Sequence, residues 1–298
     1  MRVTLTLIKR NVKLFFKDKG MFFTALITPV ILLVLYATFL GNIYRDSFKA
    51  GLPQGVSLPD KLLNGLVGGQ LASSILAVSC VTVAFCSNFL MVQDRANGTV
   101  KDFLVSPVKS AALSVSYYVA TLISTLTVCL TAMAICLVYI GVIGWYLSFA
   151  DVLLVFADVV LLVLFGTALS SVISFFLSTQ GQISAVGTVI SSGYGFICGA
   201  YMPISSFGEV LRNAVAFLPG THGTSLLRRH ALRGVFREME ALGLSDEALK
   251  GMQDAVDCRL YVFGTEIPSA TMYLILFGTG LLLLGVYILL NRMRKKQK

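Results

Sequence analysis

Six stretches of this chain are each apolar over enough residues to cross a bilayer as a helix: Met21 to Gly41, Leu66 to Val92, Leu113 to Tyr139, Val152 to Leu177, Ile183 to Tyr201 and Ala270 to Leu290. A hydrocarbon layer of roughly 30 Å takes about 20 helical residues to cross. Lipid offers no partner to backbone N–H and C=O groups, so only helices or closed barrels can span it. The short alternating strands of a membrane barrel are absent from the sequence. The chain is therefore predicted to be an all-α polytopic membrane protein with six transmembrane helices. Composition agrees: 56% of residues are hydrophobic and 13% charged, far from the balance of a soluble domain. The first run lacks a small-residue cleavage site, so it is expected to be retained rather than removed as a signal peptide.

Basic residues orient the bundle. Arg2, Lys9, Arg10, Lys13, Lys17 and Lys19 precede the first span, Arg95, Lys101 and Lys109 lie between the second and third, and Arg292, Arg294, Lys295, Lys296 and Lys298 follow the last. Excess Lys and Arg mark cytoplasmic connections, which puts both termini in the cytoplasm. The net charge of +9 then reflects topology and anionic headgroups rather than nucleic acid. The 204–267 stretch, expected on the other side, also carries arginines, but so long a loop escapes the charge rule.

In the leader, residues 1–20, Leu5, Ile8, Val12, Phe15 and Phe16 share a helical face beside Lys9, Lys13 and Lys17, with Val3, Leu7 and Leu14 off the pattern. That spacing predicts an amphipathic helix in the inner headgroup layer rather than a merely solubilising leader. Spans one to five occupy 21–203, interrupted by a polar connection at 93–112. Its segment Asp94 to Pro107 (DRANGTVKDFLVSP) is a short cytoplasmic hairpin, where Gly98 permits a turn, Val100, Phe103 and Leu104 can anchor a helix, and Pro107 stops it. The 204–267 loop holds amphipathic stretches: one from Phe207 to Leu218, a second from about Ser225 to Gly243, and a third starting at Ser245. The sixth span and a basic tail fill 268–298.

Chemistry motifs are missing. There is no GxxxxGK[ST] phosphate loop, no GxSxG elbow and no HExxH pair, so neither a nucleotide site nor a hydrolase centre is predicted. His222 and His230 lack further ligands for a metal and read as solvated loop residues. Cys80, Cys86, Cys129, Cys136 and Cys198 fall in apolar spans as small packing residues. Cys258 alone lies in the long loop, free or paired between two copies.

Asp158, inside VLLVFADVVLLVLF and two turns past Asp151 on the same face, is a buried carboxylate. It is expected either to reach substrate or to hydrogen-bond within the protein. Gly187, Ser191, Gly195 and Gly199 recur at every fourth position of the fifth span and predict close helix packing, within one chain or across a dimer axis.

The leader and first span (IKRNVKLFFKDK, then Pro29 and FLG), the loop DRANGTVKDFLVSPV and the segment GAYMPISSFGEVLRNAVAFLPGTHGTSLLR together resemble the type-2 ABC exporter permeases of bacteria, in order and spacing over nearly the whole chain. The resemblance implies a cytoplasmic coupling helix that meets a separate ATPase subunit, with Asp94, Arg95, Gly98, Thr99, Phe103, Ser106 and Pro107 at that contact. It implies ATP and magnesium on the ATPase rather than on this chain, a second permease subunit identical or different, and a multi-pass location in the bacterial cytoplasmic membrane with outer-leaflet helices between spans five and six.

A substrate route between the two copies would be lined by Gln70, Ser73, Ser74 and Asn88 from the second span, Thr188, Ser192 and Tyr194 from the fifth, and Asp158. Hydroxyls and amides without charge fit an amphipathic small molecule such as a drug, antibiotic or lipid-like compound. A cell-surface polysaccharide or lipid-linked glycan exporter is the alternative in transport, and a membrane enzyme or assembly subunit the alternative outside it.

Overall fold

A computed structural model describes residues 2–35, 38–39, 41–50, 58–105 and 108–296. The leader forms α1 (Arg2–Lys17), whose buried residues are Leu7, Asn11 and Phe15. Its inward stripe thus centres on Leu7, while Leu5 is 68% exposed. A polar Asn11 in the buried row, against which Arg10 closes at 2.9 Å, hides that face from a search for apolar spacing. α1 has a second apolar edge, with Val3, Leu5 and Phe16 exposed.

α2 (Lys19–Leu35) carries Pro29 in its interior and packs against α4 (Asp60–Ala96), while α3 (Gly41–Ala50) lies on α4 through the stacked pair Tyr44 and Phe48. α4 runs unbroken for 37 residues, and its most apolar window is wholly buried. At about 1.5 Å per residue such a helix outreaches a bilayer core. A helix apolar on all sides belongs in the middle of a bundle, and α4 contacts α2, α6, α7, α8 and α10. Close approach is possible because Gly65 sits against the Tyr146 ring and Gly69 against the Ala231 carbonyl.

α5 (Thr99–Val105) is a single short helix after the turn at Gly98. α6 (Ser110–Ile143) and α7 (Phe149–Phe176) are long apolar helices, and α7 begins in a capping box in which the Ser148 and Asp151 side chains each take the other's backbone N–H. α8 (Gln180–Ile197) starts in the same way at Thr179 and Gln182.

Beyond a 3₁₀ turn at Ile204–Ser206 come α9 (Glu209–Ala216), α10 (Pro219–Ala231), α11 (Arg233–Ala241) and α12 (Asp246–Ala255). The stretch expected as one helix from Ser225 to Gly243 is split at Leu232. α10 is inserted among α4, α7 and α13 rather than resting on them. Its PGTHGTS start supplies the small residues for this: Gly223 lies against Leu162 and Gly220 against the Tyr194 hydroxyl. A two-stranded antiparallel hairpin, β1 (Tyr261–Val262) with β2 (Thr265–Glu266), precedes α13 (Ser269–Lys296).

Among the described residues, four helices are long and apolar enough to cross a membrane by length and composition: α4, α6, α7 and the Ser269–Met293 part of α13. They correspond to the second, third, fourth and sixth expected spans. The first expected span gives the shorter apolar stretch Ala25–Leu35, and the fifth gives α8, which has 18 residues. The glycines and hydroxyl residues of α8, read from the sequence as packing residues, also lower its hydropathy.

Candidate functional site

The polar connection after α4 is tied to three helices. Arg10 of α1 pairs with Asp94 at 2.7 Å, and the Tyr117 hydroxyl of α6 donates to the same carboxylate oxygen at 2.5 Å. Burial works against the charged form of Arg10, but its bond to Asp94 outweighs this and raises its pKa. The Arg10 guanidinium also covers the Phe103 ring of α5, 5.2 Å from its centroid.

One residue on, Arg95 caps the far end of α7, donating to the carbonyls of Ser174 at 3.0 Å, Phe175 at 2.9 Å and Leu177 at 3.1 Å. Carbonyls at a helix C-terminus lack a full set of intrahelical partners, the Ser174 carbonyl also taking the Leu177 N–H at 3.3 Å, and a cation there also meets the negative end of the dipole. Gly98 turns the chain at φ +81°, a conformation glycine adopts without strain.

α5 follows with Thr99 at its start and Val100 and Phe103 packed inward. Its opposite face shows Asp102 and Val105 to the outside, Val105 at 90% exposure. Ser106 and Pro107 lie outside the described residues. Sequence reasoning missed Arg10 and Tyr117, because both are remote in the chain from the carboxylate they hold.

A cavity of about 1040 Å³ lies between α2, α4 and α8. Its walls are apolar at Ile31, Phe89 and Phe196 and carry hydroxyls at Thr188, Ser191 and Ser192, with Asp18 and Gln93 also lining it. The Thr188 hydroxyl donates to the Ser184 carbonyl at 2.9 Å and that of Ser192 to the Thr188 carbonyl at 2.7 Å, so both oxygens face the cavity with lone pairs available. The volume matches the larger end of small-molecule sites, about 300–1,000 Å³.

Of the residues expected on a substrate route, Thr188 and Ser192 line this cavity. The others are packed inside the bundle. Asn88 donates to Ser170 at 3.2 Å and Ser171 at 2.9 Å on α7, and the Ser73 hydroxyl is bonded to the Gln70 carbonyl at 2.9 Å. Tyr194 is buried against Gly220.

Asp158 bridges three helices, accepting from the Tyr273 hydroxyl of α13 at 2.6 Å and meeting Nδ1 of His230 of α10 at 2.6 Å. Both histidines, read from the sequence as solvated, are buried. The small residues of α8 divide as well: Gly187 faces Phe89 of α4, Gly195 is covered by the Tyr201 ring, and Gly199 lies past the helix end in a turn at φ +74°.

Among the described residues Arg228 is the largest fully buried side chain, and it meets Asp257 at 2.9 Å and donates to the Gly199 carbonyl. With the Gln70 side-chain oxygen turned toward it, Gln70 accepts from the same guanidinium at 3.2 and 3.3 Å. Asp257 in turn accepts from the backbone N–H of Ile204 at 2.6 Å and of Ser205 at 3.1 Å. This network pins the segment after α8, α10 and the segment after α12 to α4. Its sequence signal was an arginine in a stretch of small residues. Among the described residues, no cluster of three or more His, Cys, Asp and Glu side chains is placed to hold a metal ion.

No curated protein matches the chain. A family model described as ABC-2 type transporter matches residues 2–230, which takes in the leader, α5, the cavity helices and nearly all of α10. The chain belongs to the ABC-2 type transporter family and is a membrane-embedded permease subunit of an ABC transporter.

Proposed function

We propose that this permease works in an ATP-driven exporter that moves an amphipathic compound across the cytoplasmic membrane. α2 and α8 would cross with the four longer helices, giving six spans with both termini cytoplasmic. The observation that carries the cargo class is the cavity between α2, α4 and α8, whose largely apolar walls bear hydroxyls together with Asp18 and Gln93, and whose volume suits a drug-sized or lipid-like molecule.

Exposed apolar side chains lining that cavity, Ile27 and Ile31 on α2 and Phe196 on α8, together with Val189 next to it on α8, suit a second permease subunit closing over its open side. α5 is the natural dock for a separate ATPase carrying ATP and magnesium. It is short, it is fixed through Arg10 and Asp94, and it shows Asp102 and Val105 outward. Closure of the ATPases on nucleotide would push on α5, and the Arg10 and Arg95 contacts would pass that push to α1 and α7.

The test is ATP-dependent uptake of an amphipathic fluorescent compound into inside-out vesicles holding the permease and the ATPase encoded beside it. Accumulation inside supports export of such a compound. ATP hydrolysis without movement of any amphipathic probe counts against the cargo class, and loss of preloaded compound on adding ATP counts against the direction.

A further inference from the structure

A second cavity, of about 530 Å³, lies at the end of α7 opposite the one that Arg95 caps. It is bounded by α10, α11, α12 and the hairpin, and four arginines line it: Arg229, Arg233, Arg237 and Arg259. Its lining carboxylates are Glu240 and Glu266, and Asp151 and Asp254 stand behind the arginines.

The acids are shared. Glu266 meets both Arg259 and, at 3.6 Å, Arg229, while Asp151 meets both Arg237 and, at 3.7 Å, Arg233. Arg229 is engaged by Glu266, Ser269 and the Cys258 carbonyl, and Arg259 by Glu266 and Asp254, whereas Arg233 and Arg237 share the one Asp151. Those two keep N–H donors to spare, and a planar guanidinium fork suits two oxygens of one phosphate. Arg233 and Arg237 also keep about half of their side-chain surface exposed, 53% and 50%.

The level of this cavity is set by the helices beneath it. Arg233 and Arg237 reach Asp151 in the first turn of α7, and Arg229 donates to Ser269 at the first residue of α13. Two membrane-length helices therefore begin at the cavity floor, which is where the phosphates of a bilayer leaflet lie. Apolar surface continues from it, with Phe149 of α7 at 85% exposure and Leu274 of α13 at 71%.

We infer that this cavity binds the phosphate of an anionic phospholipid headgroup, the acyl chains running down the exposed apolar faces of α7 and α13. The inference rests on the membrane-spanning reading of α7 and α13 and is independent of the cargo. The shared recognition chemistry is a phosphate between paired guanidiniums, and the acyl chains distinguish a lipid from a free anion.

The experiment uses the purified full chain in uncharged detergent and measures affinity for three probes: short-chain phosphatidylglycerol, the matching diacylglycerol and inorganic phosphate. Phosphatidylglycerol should bind most tightly. Arg237→Gln should weaken it about fivefold, the contribution of one arginine near a lipid surface. Glu240→Gln, an exposed acid on the cavity wall, should tighten it. Arg45→Gln, an arginine of α3 outside this cavity, should change nothing. Equal affinity for diacylglycerol, equal affinity for inorganic phosphate, or indifference to Glu240→Gln would each overturn the inference. The Glu240→Gln arm predicts a gain in binding, so it remains decisive if Arg237→Gln misfolds.

Discussion

Arg10 and Asp94, 84 residues apart in sequence, close to 2.7 Å where α1, α4 and α6 meet. Through this pair and the Phe103 ring, the leader helix is joined to the end of α4 and to the short helix α5. Asp94→Asn removes the charge from a bond of a kind worth about 1.5–3 kcal/mol. We expect the variant to insert into membranes normally but to transport less per ATP hydrolysed, measured in reconstituted vesicles. Arg10→Ala should show the same defect, and the double variant should be no worse than either alone.

Gly98 lies at φ +81° with open space where a Cβ would stand, so substitution there acts through the backbone alone. Gly98→Val should cost about 1–2 kcal/mol in that conformation and reduce capture of the ATPase subunit on co-purification. Gly98→Asn, which tolerates a left-handed backbone, should retain most of it.

Arg228 and Asp257 form a buried pair at 2.9 Å. Arg228→Leu leaves Asp257 charged and uncompensated and should destabilise the protein by about 3–5 kcal/mol, read as a lowered thermal midpoint in detergent. Arg228→Leu with Asp257→Asn, which removes the stranded charge but keeps an oxygen for the Ile204 and Ser205 N–H groups, should recover part of that loss.

Thr188 and Ser192 line the large cavity, whereas Asp158 is locked to His230 and Tyr273. Thr188→Trp and Ser192→Trp should block transport with little change in thermal midpoint. Asp158→Asn should lower the midpoint and depress transport of charged and neutral compounds alike. A selective loss for cationic compounds would instead place Asp158 on the substrate route.

All six cysteines are buried, and burial pushes the Cys258 thiol up to about 12, which keeps it protonated and unreactive at neutral pH. Impermeant maleimides should fail to label Cys258 in the native protein and should label it after denaturation. Cys86 lies on the wall of the large cavity. It too is buried, so a small permeant maleimide should label it only after denaturation.

Membrane class, the long helices and the turn at Gly98 were legible in the sequence because each rests on local patterns, namely apolar length and a glycine between helix signals. The caps of α7 and α8 are equally local. What stayed hidden depends on distant partners. Asp158 announced itself as a buried acid, yet its partners His230 and Tyr273 lie 72 and 115 residues away and had no reason to be paired with it. Leu7 fell off the expected stripe of α1 because the true inward row includes Asn11. The start of α10 was not read as helix, since nothing local says that its glycines let Leu162 and Tyr194 approach. The six apolar runs were visible; the small and hydroxyl residues of α8 lower its hydropathy, and the first run continues past Leu35 beyond the described residues of α2.

The most direct test of the account places a photo-crosslinking amino acid at Val105, the outward end of α5, in the full chain expressed with its neighbouring genes. The account predicts an ultraviolet-dependent adduct to an ATPase subunit bearing a phosphate loop, and none from the buried position Phe85. A folded, membrane-inserted protein that yields no adduct at Val105 while that ATPase co-purifies would contradict the docking role of α5, and one with which no ATPase co-purifies at all would contradict its place in an ATP-driven transporter.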